Sequence, residues 1–137
     1  NGTTITGWSV ATSPEYDATG GAFDPVNGTF TVPAAPSAGL AKKYLVSGNI
    51  TFAQSSNANS ENHYIEVFVG ATSVAKYAQP PIPNSTNGLM SVAFSVNITT
   101  ADADVITIKA HSAVTGTSLT IQPTAQTWWG MVLLSNS

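Results

Sequence analysis

Two histidines, seven carboxylates and no cysteine are the side chains with which this chain could do acid–base, nucleophilic or metal chemistry. His63 and His111 are the imidazoles. Ser112 follows His111, but neighbours on an extended strand point to opposite faces, so the two do not form a dyad. Glu61, Glu66, Asp17, Asp24, Asp102 and Asp104 are scattered, and no spacing pairs them. Glycoside cleavage is the chemistry such carboxylates would supply, because it needs only two of them across a cleft. Asp102-Ala103-Asp104 offers oxygens to a calcium ion, but a cage needs about 6–8 ligands and the plain reading is a turn. Glu66 shares a face with Tyr64 and Phe68. It reads either as a solvated outer residue or as a carboxylate paired with a lysine across an interface. With cysteine absent, disulfides, thiolate metal sites and a thiol nucleophile are excluded. No catalytic or metal set is assigned, and the expectation is a protein that is not an enzyme and needs no cofactor.

Composition narrows the partners. Charged residues make up 8% of the chain, against roughly 25% in ordinary soluble domains. Arginine is absent, and the lysines are Lys42, Lys43, Lys76 and Lys109. So little positive charge cannot neutralise a phosphate backbone, which argues against nucleic acid. No apolar run approaches the roughly 20 residues that span a bilayer, so no membrane anchor is expected. The absence of cysteine points to a bacterial or viral protein rather than a secreted eukaryotic one. The chain opens on Asn1 rather than methionine. That predicts a processed or partial product with a stalk before it, and residues 1–137 as one domain. Asn1, Asn27, Asn49, Asn84 and Asn97 begin N-x-S/T triplets, which arise by chance in a chain rich in Asn and Thr.

Periodicity supplies the elements. From Tyr44 to Phe52 one face carries Tyr44, Val46, Gly48, Ile50 and Phe52, and the other Leu45, Ser47, Asn49 and Thr51. Period-two alternation with one apolar face is a strand over a core. Residues 89–98 repeat the pattern, with Met90, Val92, Phe94, Val96 and Ile98 on one side. Strands are also predicted over residues 3–11, 22–23, 28–32, 63–69, 72–78, 105–112, 118–121 and 127–134. Turns are expected at Asp24-Pro25-Val26-Asn27-Gly28, at Gly70-Ala71 and at residues 102–104. Residues 54–62 and the proline run Pro80–Pro83 read as loops. No helix and no repeat is expected. Alternation also sends Trp128 and Trp129 to opposite faces, one to the core and one outward.

Three segments carry a resemblance. Gly28-Thr29-Phe30-Thr31-Val32-Pro33, the run from Tyr44 to Phe52, and Trp128-Trp129-Gly130-Met131-Val132-Leu133-Leu134 are similar, in that order, to elements of the tumour necrosis factor and complement-head family. The resemblance implies an all-β, two-sheet antiparallel jelly-roll sandwich that assembles as a homotrimer. It implies a three-fold axis lined by Leu45, Ser47, Asn49 and Thr51, by Leu89, Ser91, Ala93 and Ser95, and by Trp128, Gly130, Val132 and Leu134. The core would take Tyr44, Val46, Ile50, Phe52, Val92, Phe94, Trp129 and Met131. Small polar residues stand at this axis where the cytokine branch has tyrosines. The expectation is therefore hydrogen bonding across the axis, waters, or a small polar molecule trapped there.

Among branches of the family, this composition looks most like the C-terminal knob of a phage tail needle or tail fibre. That implies a virion protein at the tail tip, with a host cell-surface or envelope component as partner. Loop residues Ser56, Asn57, Asn59, Pro81, Pro83 and Asn84 would touch it. The alternatives are a complement-head-like cap on a bacterial collagen-like surface filament, or a monomeric carbohydrate-binding β-sandwich.

Overall fold

The computed structural model describes residues 3–5, 22–34, 40–53, 63–79, 89–112, 120–121 and 127–136. Among the described residues ten strands run in chain order and no helix occurs. They are β1 (Thr3–Thr4), β2 (Phe23–Asp24), β3 (Thr29–Thr31), β4 (Lys42–Ala53), β5 (His63–Val69), β6 (Thr72–Gln79), β7 (Leu89–Thr100), β8 (Val105–Ser112), β9 (Thr120–Ile121) and β10 (Trp128–Asn136). The fold is an all-β sandwich of two antiparallel sheets. One sheet has the order β2-β3-β8-β5-β6, with β1 also pairing β8. The other has the order β10-β4-β7, with β9 also pairing β4.

The core lies between the two sheets. From the second sheet come Tyr44, Val46, Ile50, Phe52, Met90, Val92, Phe94 and Ile98, all buried. Ile65, Val67, Ile106 and Ile108 answer from the first. Each fully buried side chain of this kind contributes roughly 1.5–3 kcal/mol. Trp129 and Met131 pack against this core from β10, so the expected inward set is borne out. Tyr77 of β6 donates its hydroxyl proton to the Ser95 carbonyl of β7, a polar link between the sheets.

Gly48 lies where the chain runs tightest. It pairs with Phe94 on one side and Trp129 on the other. A Cβ there would stand 2.5 Å from the Trp128 carbonyl oxygen and 2.6 Å from the Phe94 ring. The glycine thus leaves space for an inward-pointing phenyl ring under a continuous ladder.

The expected turns form. Asp24 caps its own turn, accepting from the Val26 and Asn27 backbone N–H groups at 2.9 and 3.1 Å. Gly28 closes it at φ 65°. Between β7 and β8, Ala103 takes φ 65°, and the Asp104 carboxylate accepts from the Ala101 N–H at 2.8 Å. Several strand limits shift by a residue or two from the expectation, and in the central pair the cause is plain. β7 runs on to Thr100 and β4 begins at Lys42, because those two residues pair with each other.

Candidate interface on the four-stranded sheet

Register builds the outward face of β10, β4 and β7 row by row. Trp128 lies beside Asn49, and Asn49 beside Ala93. Gly130, Ser47 and Ser95 form the next row, and Val132, Leu45 and Asn97 the one after. Every strand alternates inward apolar residues with these, so one face is filled by the core and this one is left outward.

The face is graded across its width. On β10, Trp128 is 51% exposed, Val132 59% and Leu134 52%. On β4, Leu45, Ser47 and Asn49 are half-buried. On β7, Ser91, Ala93 and Ser95 are exposed. Among the described residues, Lys43 at one end is the charge on this face. β10 is also an outer strand, hydrogen-bonded to β4 alone among the described strands. An exposed apolar edge strand of this kind invites a partner. A register shift between Leu133 and Ser135 bends its end.

Thr51 differs from the expectation. It is fully buried within the single chain, so it cannot meet a neighbouring copy. Its Oγ1 lies 2.8 Å from Ser91 Oγ and accepts from Asn49 Nδ2 at 3.3 Å. Its backbone N–H donates to Thr127 Oγ1 at 3.1 Å. The local hydroxyl chain satisfies these groups without any second molecule. The side chain of Leu89, and residues Ser56, Asn57, Asn59, Pro81, Pro83 and Asn84, lie outside what the structure describes.

Of the residues weighed for catalysis, Asp17, Glu61 and the side chains of His63 and Ser112 lie outside what the structure describes, and Asp24, Glu66, Asp102, Asp104 and His111 are engaged elsewhere. Asp102 Oδ1 lies 3.2 Å from Lys42 Nζ, whose side chain is 5% exposed. Lys42 Nζ also donates to the Pro33 carbonyl oxygen. This pair closes one end of the sandwich, beside a cavity of about 520 Å³ lined by Leu40, Ala41, Thr99, Thr100, Ala101 and Asp102. Burial, then the Asp102 charge, pushes the neighbouring Tyr44 phenol above its ordinary value. Sequence reasoning missed Lys42, although its position two before Tyr44 places it on the inward face. Asp102 and Asp104 thus both serve their turn, one through Lys42 and one through Ala101. Glu66 meets His111 of its own chain rather than a lysine across an interface. No three His, Asp or Glu residues gather as a metal set among the described residues.

No protein-family model matches the chain, and no curated protein matches it.

Proposed function

We propose that the chain is the trimeric head of a fibrous assembly, a jelly roll of the tumour necrosis factor and complement-head type. It would work as the knob of a phage tail needle or fibre that contributes to host-envelope attachment or penetration. The outward face of β10, β4 and β7 carries the reading. Trp128, Val132 and Leu134 each leave about half their surface in water. Covering that remainder is worth roughly 1 kcal/mol apiece. Beside them Ser47, Ser91, Ala93 and Ser95 add little bulk and no charge, so another copy can approach closely.

The grading across the face suits a closed ring of copies, as the proposed trimer requires. Its apolar strand, β10, and its small-residue strand, β7, lie on opposite sides of β4. A contact in which β10 of one copy meets β7 of the next is heterologous, and it closes into a ring when the rotation fits. Strand order supports the jelly-roll reading. β3 and β5 both flank β8, and the last strand, β10, pairs with β4, so the chain passes repeatedly between sheets. The role at a tail tip rests on the resemblance and on the weakly charged, cysteine-free composition. Its mechanism is mechanical and adhesive: three chains lock into a rigid tip.

The test is solution mass by light scattering, for the wild type and for a Trp128→Glu, Val132→Lys double variant. The wild type should have three times the 14.1 kDa chain mass and keep it in mild detergent. The variant should be a folded monomer by circular dichroism. A monomeric wild type would sink the trimer reading and make a sugar-binding sandwich the leading one.

A further inference from the structure

The outward face of the other sheet carries a cluster of titratable and aromatic side chains. Tyr64, Glu66 and Phe68 project from β5. Register sets Tyr64 opposite His111 of β8, and Glu66 between Lys109 of β8 and Lys76 of β6. The His111 ring stacks flat on Tyr64, with centroids 4.4 Å apart and an interplanar angle of 11°. The Lys76 ammonium stands 3.5 Å from the Tyr64 ring centroid, and that of Lys109 stands 4.1 Å from the Phe68 centroid. His111 Nε2 lies 2.7 Å from Glu66 Oε2, with the imidazole side chain 10% exposed. The contact falls off the direction of the ring N–H, so it is not an aligned hydrogen bond. Ser73 of β6 donates to the other Glu66 oxygen at 3.1 Å. Three strands are thus joined through one imidazole and one carboxylate.

We propose that this cluster is an acid-responsive latch across β6, β5 and β8, closed while His111 is neutral and loosened when it takes up a proton. The charges around the ring decide the direction. A protonated His111 would place three cations, with Lys76 and Lys109, around the single carboxylate of Glu66. Thr4 of β1, opposite Lys109, brings no charge to offset them. The stacked ring has little contact with water that could solvate the new charge.

The sign of the pH effect follows. Burial holds the His111 imidazole below its ordinary value of 6.5; Glu66 opposes the shift, and positive charges, Lys76 and Lys109 among them, add to it. The unfolded chain therefore binds more protons than the folded chain below pH 6.5. Stability is complete above that pH and is lost as pH falls toward the folded value. The loss is local, because the latch lies on the sheet turned away from the proposed interface. It stands whether the protein is a trimer or a monomer.

The experiment compares the wild type with His111→Phe, which keeps a ring on Tyr64 and removes the proton. Thermal midpoints are measured at pH 7.5 and 5.0, with amide hydrogen exchange at both. The wild-type midpoint should fall about 2–4 °C further than that of the variant, the scale of a single-site effect in a chain of this size. Wild-type amides of β5 and β8 should exchange faster at pH 5.0, after correction for intrinsic rate, by a larger factor than those of β4 and β7. Equal pH slopes in the two proteins would overturn the proposal. If the variant does not fold, the wild-type His111 resonance decides, assigned with a His63→Asn variant. Titration below 6.5 supports the latch, and titration at or above 6.5 ends it.

Discussion

Replacing Gly48 by alanine tests the packing of the second sheet at its tightest point. The new methyl carbon would sit 2.5 Å from the Trp128 carbonyl oxygen and 2.6 and 2.7 Å from two Phe94 ring carbons. Ordinary contacts of this kind begin near 3.4 Å, so something must move by close to an ångström. The Trp128 carbonyl belongs to β10, which pairs with β4 on both sides of this point. It cannot retreat without lengthening that ladder. Phe94 is buried and has only core to move into. Overpacking in a dense core costs about 1–3 kcal/mol; with a backbone atom on one side and a confined ring on the other, about 3 kcal/mol is expected. For a chain of this length that is a fall of roughly 9–15 °C in Tm. Thermal and urea unfolding at one fixed protein concentration would read it. Gly130→Ala is the control, because a Cβ there meets nothing within 4 Å of its own chain, and it should change monomer stability by less than about 0.5 kcal/mol. Combining Gly48→Ala with Phe94→Leu should recover part of the loss, since the ring contact is relieved and the backbone contact stays. A Gly48→Ala protein within about 1 kcal/mol of wild type would refute the packing argument.

Two further outcomes follow from the ends of the strands. Asp102→Asn strips the buried Lys42 ammonium of its carboxylate. It should cost about 2 kcal/mol in urea unfolding, less than a fully buried pair because Asp102 is partly exposed; Lys42→Met in the same background should restore most of it. Gly70→Ala adds a methyl group in open space but at φ 58°. Its whole cost should therefore be left-handed backbone strain, about 1 kcal/mol, read as a lower urea midpoint with an unchanged slope.

Legibility in the sequence follows from locality. The faces of residues 44–52 and 89–98 could be read because alternation is a property of consecutive residues, and the structure turns Tyr44, Ile50, Val92 and Phe94 inward as expected. The division of Trp128 from Trp129 was readable for the same reason. What could not be read depends on register between distant strands. Glu66 meets His111 only because β5 and β8 pair in one alignment, and no nearby residue announces that choice. Thr51 lies on the outward face by alternation, yet Ser91 of β7 and Thr127, just before β10, enclose it. Lys42 is the converse. Its position was inward by pattern, and its charge masked that until Asp102, sixty residues on, was seen to neutralise it.

The pairing of β10 with β4 also fixes the order in which the molecule can be completed. The contact between Asn49 and Trp128 closes a loop of most of the chain, the kind of pairing that slows folding and arrives late. β5 and β6 pair through a tight turn and can form as soon as they are made, as can β2 and β3. During synthesis β4 keeps an open edge along residues 42–49 until β10 has been made. The outward face is finished by that same strand, which supplies Trp128 and Val132. A chain stalled before Trp128 therefore lacks the apolar part of this face, on which the proposed trimer depends. Synthesis through β10 is thus a condition for any pairing through that face, the proposed trimer contact included.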